Sequence, residues 1–241
     1  MLSKLVFDGD KVELRSVDHL FAKGKDKEKI RTYTSKVYTV LSDDRLEIIM
    51  PLEKAKLILL PIDGEYDLVF YTKQGLYQCY ATVYDRYKSN NVYVLAFELT
   101  SNVRKHQRRE YYRFSCVLDM RLRELKKEEE ESIKEQKPMI VPGLPLRRAL
   151  ICDISGGGMR FITDSVYEEG TYISCTFSLN FNGTIKDYDV IGQVLLSKDV
   201  PNRPGEYEHR MQYILLNRDV REEIIRYIFE EERKVRRNSI R

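Results

Sequence analysis

"YDLVFYTKQGLYQCYATVYDRYKSNNVYVLAFEL", Tyr66 to Leu99, is the stretch whose reading decides the fold class. Runs rich in Tyr, Val, Leu and Thr are interrupted at Gln74-Gly75 and again at Ser89-Asn90-Asn91. Aromatic and β-branched side chains suit a pleated, half-buried surface, while Gly and Asn supply turns. The same texture continues outward. "DKVELRS" (Asp10–Ser16) opens as a short strand, and "RTYTSKVYTVLSDDRLEIIM" (Arg31–Met50) reads as strand, Asp-Asp turn, strand. Turn punctuation about every ten residues predicts a small barrel or sandwich. Seventeen tyrosines without a tryptophan fit the same strand-rich picture.

Toward the C-terminus this first series ends near Thr100, and "SNVRKHQ" reads as a polar connector. A second series begins at Tyr112: "FSCVLDMRL", "RALICDI", "GMRFITD", "TYISCTFSL", "YDVIGQVLLS" and "YEHRMQYIL". Between its first two members lies "RELKKEEEESIKEQKPMIVPGLPLR", a charge run followed by three prolines. It reads as a long exposed insertion in a β-hairpin, partly helical or disordered. The chain closes with "DVREEIIRYIFEEERKVRR", in which Val220, Ile224 and Ile228 lie four apart beside Ile225 and Phe229. That spacing predicts an amphipathic helix covering one end of the second barrel, with Asp219 and Glu222 at capping-box spacing and the basic Arg233–Arg237 at its C-terminus.

The predicted architecture is therefore mainly β: two small β-barrel domains in tandem, the second closed by a C-terminal α-helix. The boundaries are 1–100 for the first domain, 101–107 for the linker, and 108–241 for the second. The second domain carries the charged insertion at 123–148 and the helix at 219–237.

Composition narrows the function. Lys+Arg numbers 41 against 38 Asp+Glu, a net charge of +3, so bulk charge does not predict nucleic-acid binding and an anion site must come from local clustering. Cys79, Cys116, Cys152 and Cys175 show no C-x-x-C spacing, which leaves reduced cysteines packed in strands rather than a zinc or redox site. Asp8 and Asp10 come too early for a signal-peptide core, and no apolar run approaches the ~20 residues of a membrane helix. A cytoplasmic protein without membrane insertion is expected. His19, His106 and His209 are scattered and form no nucleophile or metal arrangement, so no enzyme, metal or cofactor is expected.

Two stretches could hold a ligand. "RREYYRF" (Arg108–Phe114) gathers three arginines and two tyrosines in seven residues. If it is a strand, Arg109, Tyr111 and Arg113 share one face, and Tyr112, Phe114, Cys116, Leu118 and Met120 form a core face. Arg109 and Arg113 would then be about 13 Å apart, too far for one phosphate and suited to a ligand with several acceptors. Arginine forks pair with phosphate oxygens and with O6 and N7 of guanine, and their flat faces stack on bases. The second stretch is "CDISGGGMRF" (Cys152–Phe161). Three glycines permit positive φ or close approach of a backbone or ligand, and a tight hairpin turn is the plain reading. Asp153 can accept from guanine N1–H and N2–H₂, Ser155 can donate, and glycine N–H groups can face phosphate.

Together the two stretches resemble the PilZ domain, the receptor domain for the bacterial second messenger cyclic di-GMP. Its R-x-x-x-R motif is similar to Arg109-Glu-Tyr-Tyr-Arg113, preceded by Arg108, and its [D/N]-x-S-x-x-G motif to Asp153-Ile-Ser155-Gly-Gly-Gly158. The resemblance covers roughly residues 106 to 232. Residues 1 to about 100 resemble, by architecture and position, the companion β domain of flagellar-brake-type (YcgR-like) proteins. Arg210, where the family usually carries a glycine in "EHRMQY", and the long insertion depart from the pattern.

The resemblance implies that Arg109 and Arg113 hold phosphates and guanine edges, that Asp153 and Ser155 fix a guanine, and that Gly158 lets the turn approach the ligand. Arg108 would favour an intercalated cyclic di-GMP dimer, and Arg160 would add a contact. It further implies a monomeric receptor with a protein partner at the flagellar motor. Two alternatives stay open: a β-barrel protein binding single-stranded nucleic acid with Tyr111 and Tyr112 as a stacking platform, and a PilZ-like interaction scaffold that binds no nucleotide.

Overall fold

A computed structural model of the chain describes residues 2–17 and 31–239, so His19 lies outside the described residues. The chain divides into two compact units, Met1–Arg108 and Arg109–Arg241.

Among the described residues, the first unit opens with a 3-10 turn, Leu2–Lys4, and holds nine strands: β1 (Lys11–Ser16), β2 (Thr32–Val40), β3 (Arg45–Ile49), β4 (Leu52–Glu53), β5 (Lys56–Leu57), β6 (Glu65–Thr72), β7 (Gly75–Ser89), β8 (Val92–Leu99) and β9 (Arg104–Lys105). Antiparallel pairing runs β6-β1-β2-β3-β8-β7, and a β6–β7 pairing closes the barrel. One long strand makes closure possible. β7 pairs with β6 from Gly75 to Thr82 and with β8 from Ala81 to Ser89, and a bulge between Val83 and Asp85 lets it turn the corner. The inward set includes Val12, Leu14, Leu46, Ile48, Leu68, Phe70, Cys79, Ala81, Leu95 and Phe97, all at most 1% exposed. Asn90 and Asn91 take φ of 45° and 65°, the left-handed pair that a two-residue hairpin needs to match strand twist.

The connector "SNVRKHQ" is less free than its polarity predicts. Arg104 and Lys105 pair with Gln78 and Tyr77 as β9, and the His106 N–H donates to the Leu76 carbonyl at 2.8 Å. The reason is an open edge. This early part of β7 has β6 on one side only, so its other backbone groups are open to a partner.

The second unit is built from β10 (Phe114–Glu124), α1 (Lys127–Lys134), β11 (Arg147–Ser155), β12 (Gly158–Thr163), β13 (Tyr172–Phe181), β14 (Thr184–Asp199), β15 (Tyr207–Ile214) and α2 (Arg218–Ser239). Its strands form a closed barrel in the order β10-β11-β12-β15-β14-β13, sealed by the β10–β13 pairing. α2 places Ile224, Tyr227 and Ile228 in the same core as Phe161, Cys175 and Phe177. The helix is capped by Asn217 rather than by the Asp219–Glu222 pair, since the Asp219 N–H donates to Asn217 Oδ1 at 2.8 Å.

The insertion at 123–148 is partly helical, as α1, and it is anchored rather than simply displayed. Glu129, 0% exposed, accepts both ends of the Arg123 guanidinium at 2.6 and 2.7 Å. It also accepts the backbone N–H groups of Lys126 and Val141. Every charge in this buried pair has partners, which is what makes burial of an ion pair tolerable.

Among the described residues no helix is long and apolar enough to cross a membrane.

Candidate functional site

The glycine stretch forms the two-residue turn between β11 and β12, with Ser155 opposite Gly158. None of its three glycines has a positive φ. Close approach is what requires them. A Cβ on Gly156 would lie 2.6 Å from Tyr111 Cδ1 and 2.9 Å from Ile225, and one on Gly157 would lie 2.9 Å from Tyr111 Cδ2. On Gly158 it would lie 2.1 Å from the carbonyl oxygen of Met211 in the neighbouring β15. The neighbour that Gly158 admits is therefore a strand backbone, a structural reason for the residue that stands apart from any ligand.

Ser155 is buried. Its hydroxyl donates to the Gly158 carbonyl at 2.9 Å and accepts the Gly157 N–H at 3.3 Å. A hydroxyl has one proton, so Ser155 shapes the turn and has only acceptor capacity left. Asp153 faces Arg160 across the β11–β12 ladder, and Arg160 Nε donates to Asp153 Oδ2 at 2.6 Å. The other edge of Arg160 donates to Glu208 Oε2 at 2.8 Å, and Lys198 reaches Glu208 Oε1 at 3.1 Å. Arg160 is thus spent on two carboxylates, with its pKa raised by Asp153 and then Glu208. Through Nε it holds Asp153 in place. Burial alone would raise the Glu208 carboxyl, but the hydrogen bonds from Arg160 and Lys198 outweigh it and leave it lowered. Arg210 lies opposite Arg160 on β15 and 4.0 Å from Glu208, so it joins this outer charge network.

The arginine segment has a different character. β10 begins at Phe114, so residues 108–113 are not strand and the predicted alternation does not apply to them. Pairing explains the limit, because the ladder with β11 starts at Phe114↔Ile154. Arg109 and Arg113 are exposed. Tyr112, predicted in the core, is 52% exposed, and partial burial with the carboxylate of Glu232 pushes its phenol up. Tyr111, predicted beside the arginines on the displayed face, instead packs against Gly156 and Gly157. Arg108 falls in the first unit. Its Nη1 donates to the Tyr71 hydroxyl at 2.7 Å, its guanidinium lies 5.3 Å from the Tyr71 ring centre, and Tyr71 donates to Glu13 at 2.5 Å.

One residue escaped the sequence reading. Arg221, in the first turn of α2, donates from Nη1 to the Gly156 carbonyl at 2.6 Å and lies 5.5 Å from the Tyr111 ring centre. Nothing in "RDVREEIIRY" separates it from its exposed neighbours Arg218 and Arg226. Beside this contact a cleft of about 220 Å³ is lined by Glu110, Tyr111, Tyr112, Gly156, Ile225 and Phe229.

Burial, with Asp153 adding to it, pushes Cys116 up to about 12. Among the described residues no group of three His, Cys, Asp or Glu converges as a metal site.

Two family models match the chain. The one described as PilZ domain covers residues 107–230, and the one described as Flagellar protein YcgR covers residues 9–99. A search of the curated proteins finds no match. Among solved structures, that of the Bacillus subtilis inhibitor of motility (MotI/DgrA) is similar, with a TM-score of 0.72 at 16% identity over 95% of this chain and 99% of that one. At that identity the likeness speaks for the fold. A crystal structure of Escherichia coli YcgR in complex with c-di-GMP aligns over 96% of this chain and 87% of that one at 14% identity, with a TM-score of 0.46.

Proposed function

This chain belongs to the PilZ domain family, and from that premise we propose that it is a cyclic di-GMP receptor acting on motility. The observation that carries the reading is the meeting of the two motifs. Tyr111, between Arg109 and Arg113, lies against the glycines of Asp153-x-Ser155-x-x-Gly158, which supports reading the two motifs as parts of one site.

In this reading each half does a separate job. Asp153, already oriented by Arg160, accepts from a guanine edge, which a carboxylate does with two parallel hydrogen bonds. Arg109 and Arg113 close on the phosphates and stack on the bases. Ser155 and Gly158 keep the turn in the shape that presents Asp153. Arg108 supplies a further cation and with it room for a second, intercalated ligand. Because Arg108 and Arg109 fall on opposite sides of the division between compact units, a ligand recruiting both alters how the domains are arranged. The output is a changed surface for a protein partner at the flagellar motor. The receptor is a cytoplasmic monomer and not an enzyme.

Calorimetric titration with cyclic di-GMP tests this. Wild type binds, with a stoichiometry of one or two per chain, and Arg109→Ala and Arg113→Ala lose binding. No binding by wild type, or equal binding by both variants, sinks the reading. If an RNA or DNA oligomer binds instead with a steep, length-dependent salt slope, the nucleic-acid alternative replaces it.

A further inference from the structure

We propose that Tyr111 and Arg221 are positioning residues that couple an occupied ligand site to helix α2, an inference that rests on the receptor reading above. Three elements meet at one ring: the arginine segment, the glycine turn and the first turn of α2. The Tyr111 ring fills the space that two absent Cβ atoms leave at Gly156 and Gly157. Arg221 grips the same turn by its Gly156 carbonyl and lies over the same ring.

Tyr111 is two residues from Arg109 and two from Arg113. A ligand that draws both arginines onto its phosphates therefore acts on the backbone that carries this ring. The ring is wedged so closely that there is no room for even a methyl group between it and the turn. Such a contact holds one arrangement or another and does not deform smoothly. If Tyr111 shifts, Arg221 loses its aromatic face and the start of α2 loses one of its ties to the barrel. The rest of the helix stays anchored through Ile224, Tyr227 and Ile228. Ile225 is the transmitter on the helix side, since it abuts Gly156 and also lines the 220 Å³ cleft with Phe229.

The contacts are made by the ring of Tyr111 and the planar fork of Arg221, and this sets the expected results. Tyr111→Phe should bind cyclic di-GMP within about twofold of wild type, while Tyr111→Ala should lose at least about tenfold. Arg221→Ala should lose about three- to tenfold, and Arg221→Lys, which keeps a charge and a donor but no flat face, should fall between. A merely structural role would not move the second readout, hydrogen exchange along α2. In wild type, ligand should change exchange in the first turn of α2, and in Arg221→Ala that change should vanish.

Binding by Arg221→Ala and Tyr111→Ala equal to wild type, or an unaltered ligand response in α2, overturns the proposal. Because Tyr111→Ala could misfold, Arg221→Lys and the wild-type exchange experiment stand without it. If wild type binds no cyclic di-GMP, the receptor reading falls by itself. The coupling is then decided in the ligand-free chain. There Arg221→Ala should speed exchange of the Gly157 and Tyr213 amides, which donate to Ser155 Oγ and the Gly157 carbonyl, by about tenfold. Unchanged exchange overturns it.

Discussion

The turn at Ser155–Gly158 and the segment Arg109–Arg113 are opposite constructions. In the turn nearly every group is spent. The Ser155 hydroxyl bonds twice within the turn, and the Gly156 and Gly157 carbonyls are taken by Arg221 and the Tyr213 N–H. All three Cβ positions are closed. The arginine segment has no ladder, and both its arginines reach the surface. One half is closely packed and presents a carboxylate, and the other brings exposed cations outside any ladder. That division suits a receptor whose ligand must rearrange something.

The contrast can be broken most severely on its closely packed side. Gly158→Ala drives a methyl group to within 2.1 Å of the Met211 carbonyl, a strand backbone that cannot step aside. A loss above about 3 kcal/mol is expected, seen as failure to accumulate folded protein or a large drop in the denaturation midpoint. Near-wild-type stability would show that the β12–β15 contact relaxes easily and that the turn is not the closely packed half.

The next effect concerns a buried ion pair. Arg123 is spent on Glu129, whose carboxyl it holds at about 2, against an ordinary value of 4.5. A depressed carboxyl contributes stability that is present above pH 4.5 and is lost as pH falls toward 2. Glu129→Gln should cost about 3 kcal/mol at pH 7, since it strands a buried guanidinium. It should also flatten the acid limb of stability between those pH values in urea titrations. A limb unchanged in the variant would mean that the insertion does not anchor through this pair.

The exposed arginines are read by affinity. Arg109→Ala and Arg113→Ala should each cost about 2 kcal/mol or more of ligand affinity, near 30-fold. Calorimetry checks this, and wild-type affinity in either variant would remove that arginine from the site. The smallest effect belongs to Tyr71→Phe. It removes the hydroxyl that Arg108 uses and leaves that cation free for a ligand, so affinity should rise a few-fold, under about 1 kcal/mol. A fall in affinity would mean that the Tyr71 contact prepares Arg108 instead of detaining it.

Much of this was legible in the residues. Ser89-Asn90-Asn91 marks a hairpin, and its left-handed pair appears at Asn90 and Asn91. Val220, Ile224 and Ile228 mark a helix face, and Ile224 and Ile228 reach the core. Other signals were present but unread. Asn182-Gly183 carries β13 and β14 through Phe181↔Thr184, beyond the predicted ends of both strands. Tyr112 was misplaced because alternation was extended past the first paired residue, Phe114. The tie from Arg160 to Glu208 left no local signal, because the two lie 48 positions apart. Arg221 carried no signal, since its partner, the Gly156 carbonyl, is 65 positions distant and is a backbone group that every residue possesses.

The sequence by itself determined the strand-rich texture, two barrels in tandem, the closing helix and the two motifs. These depend on period, turn chemistry and spacing, which act over a few residues. Only the tertiary structure decided which cations are buried in ion pairs and which reach the surface, and whether the glycines answer to φ or to space. It also decided that Tyr111 joins one motif to the other. Those outcomes turn on which distant strand or helix arrives opposite a given residue, and register across a closed barrel is set by the whole chain at once.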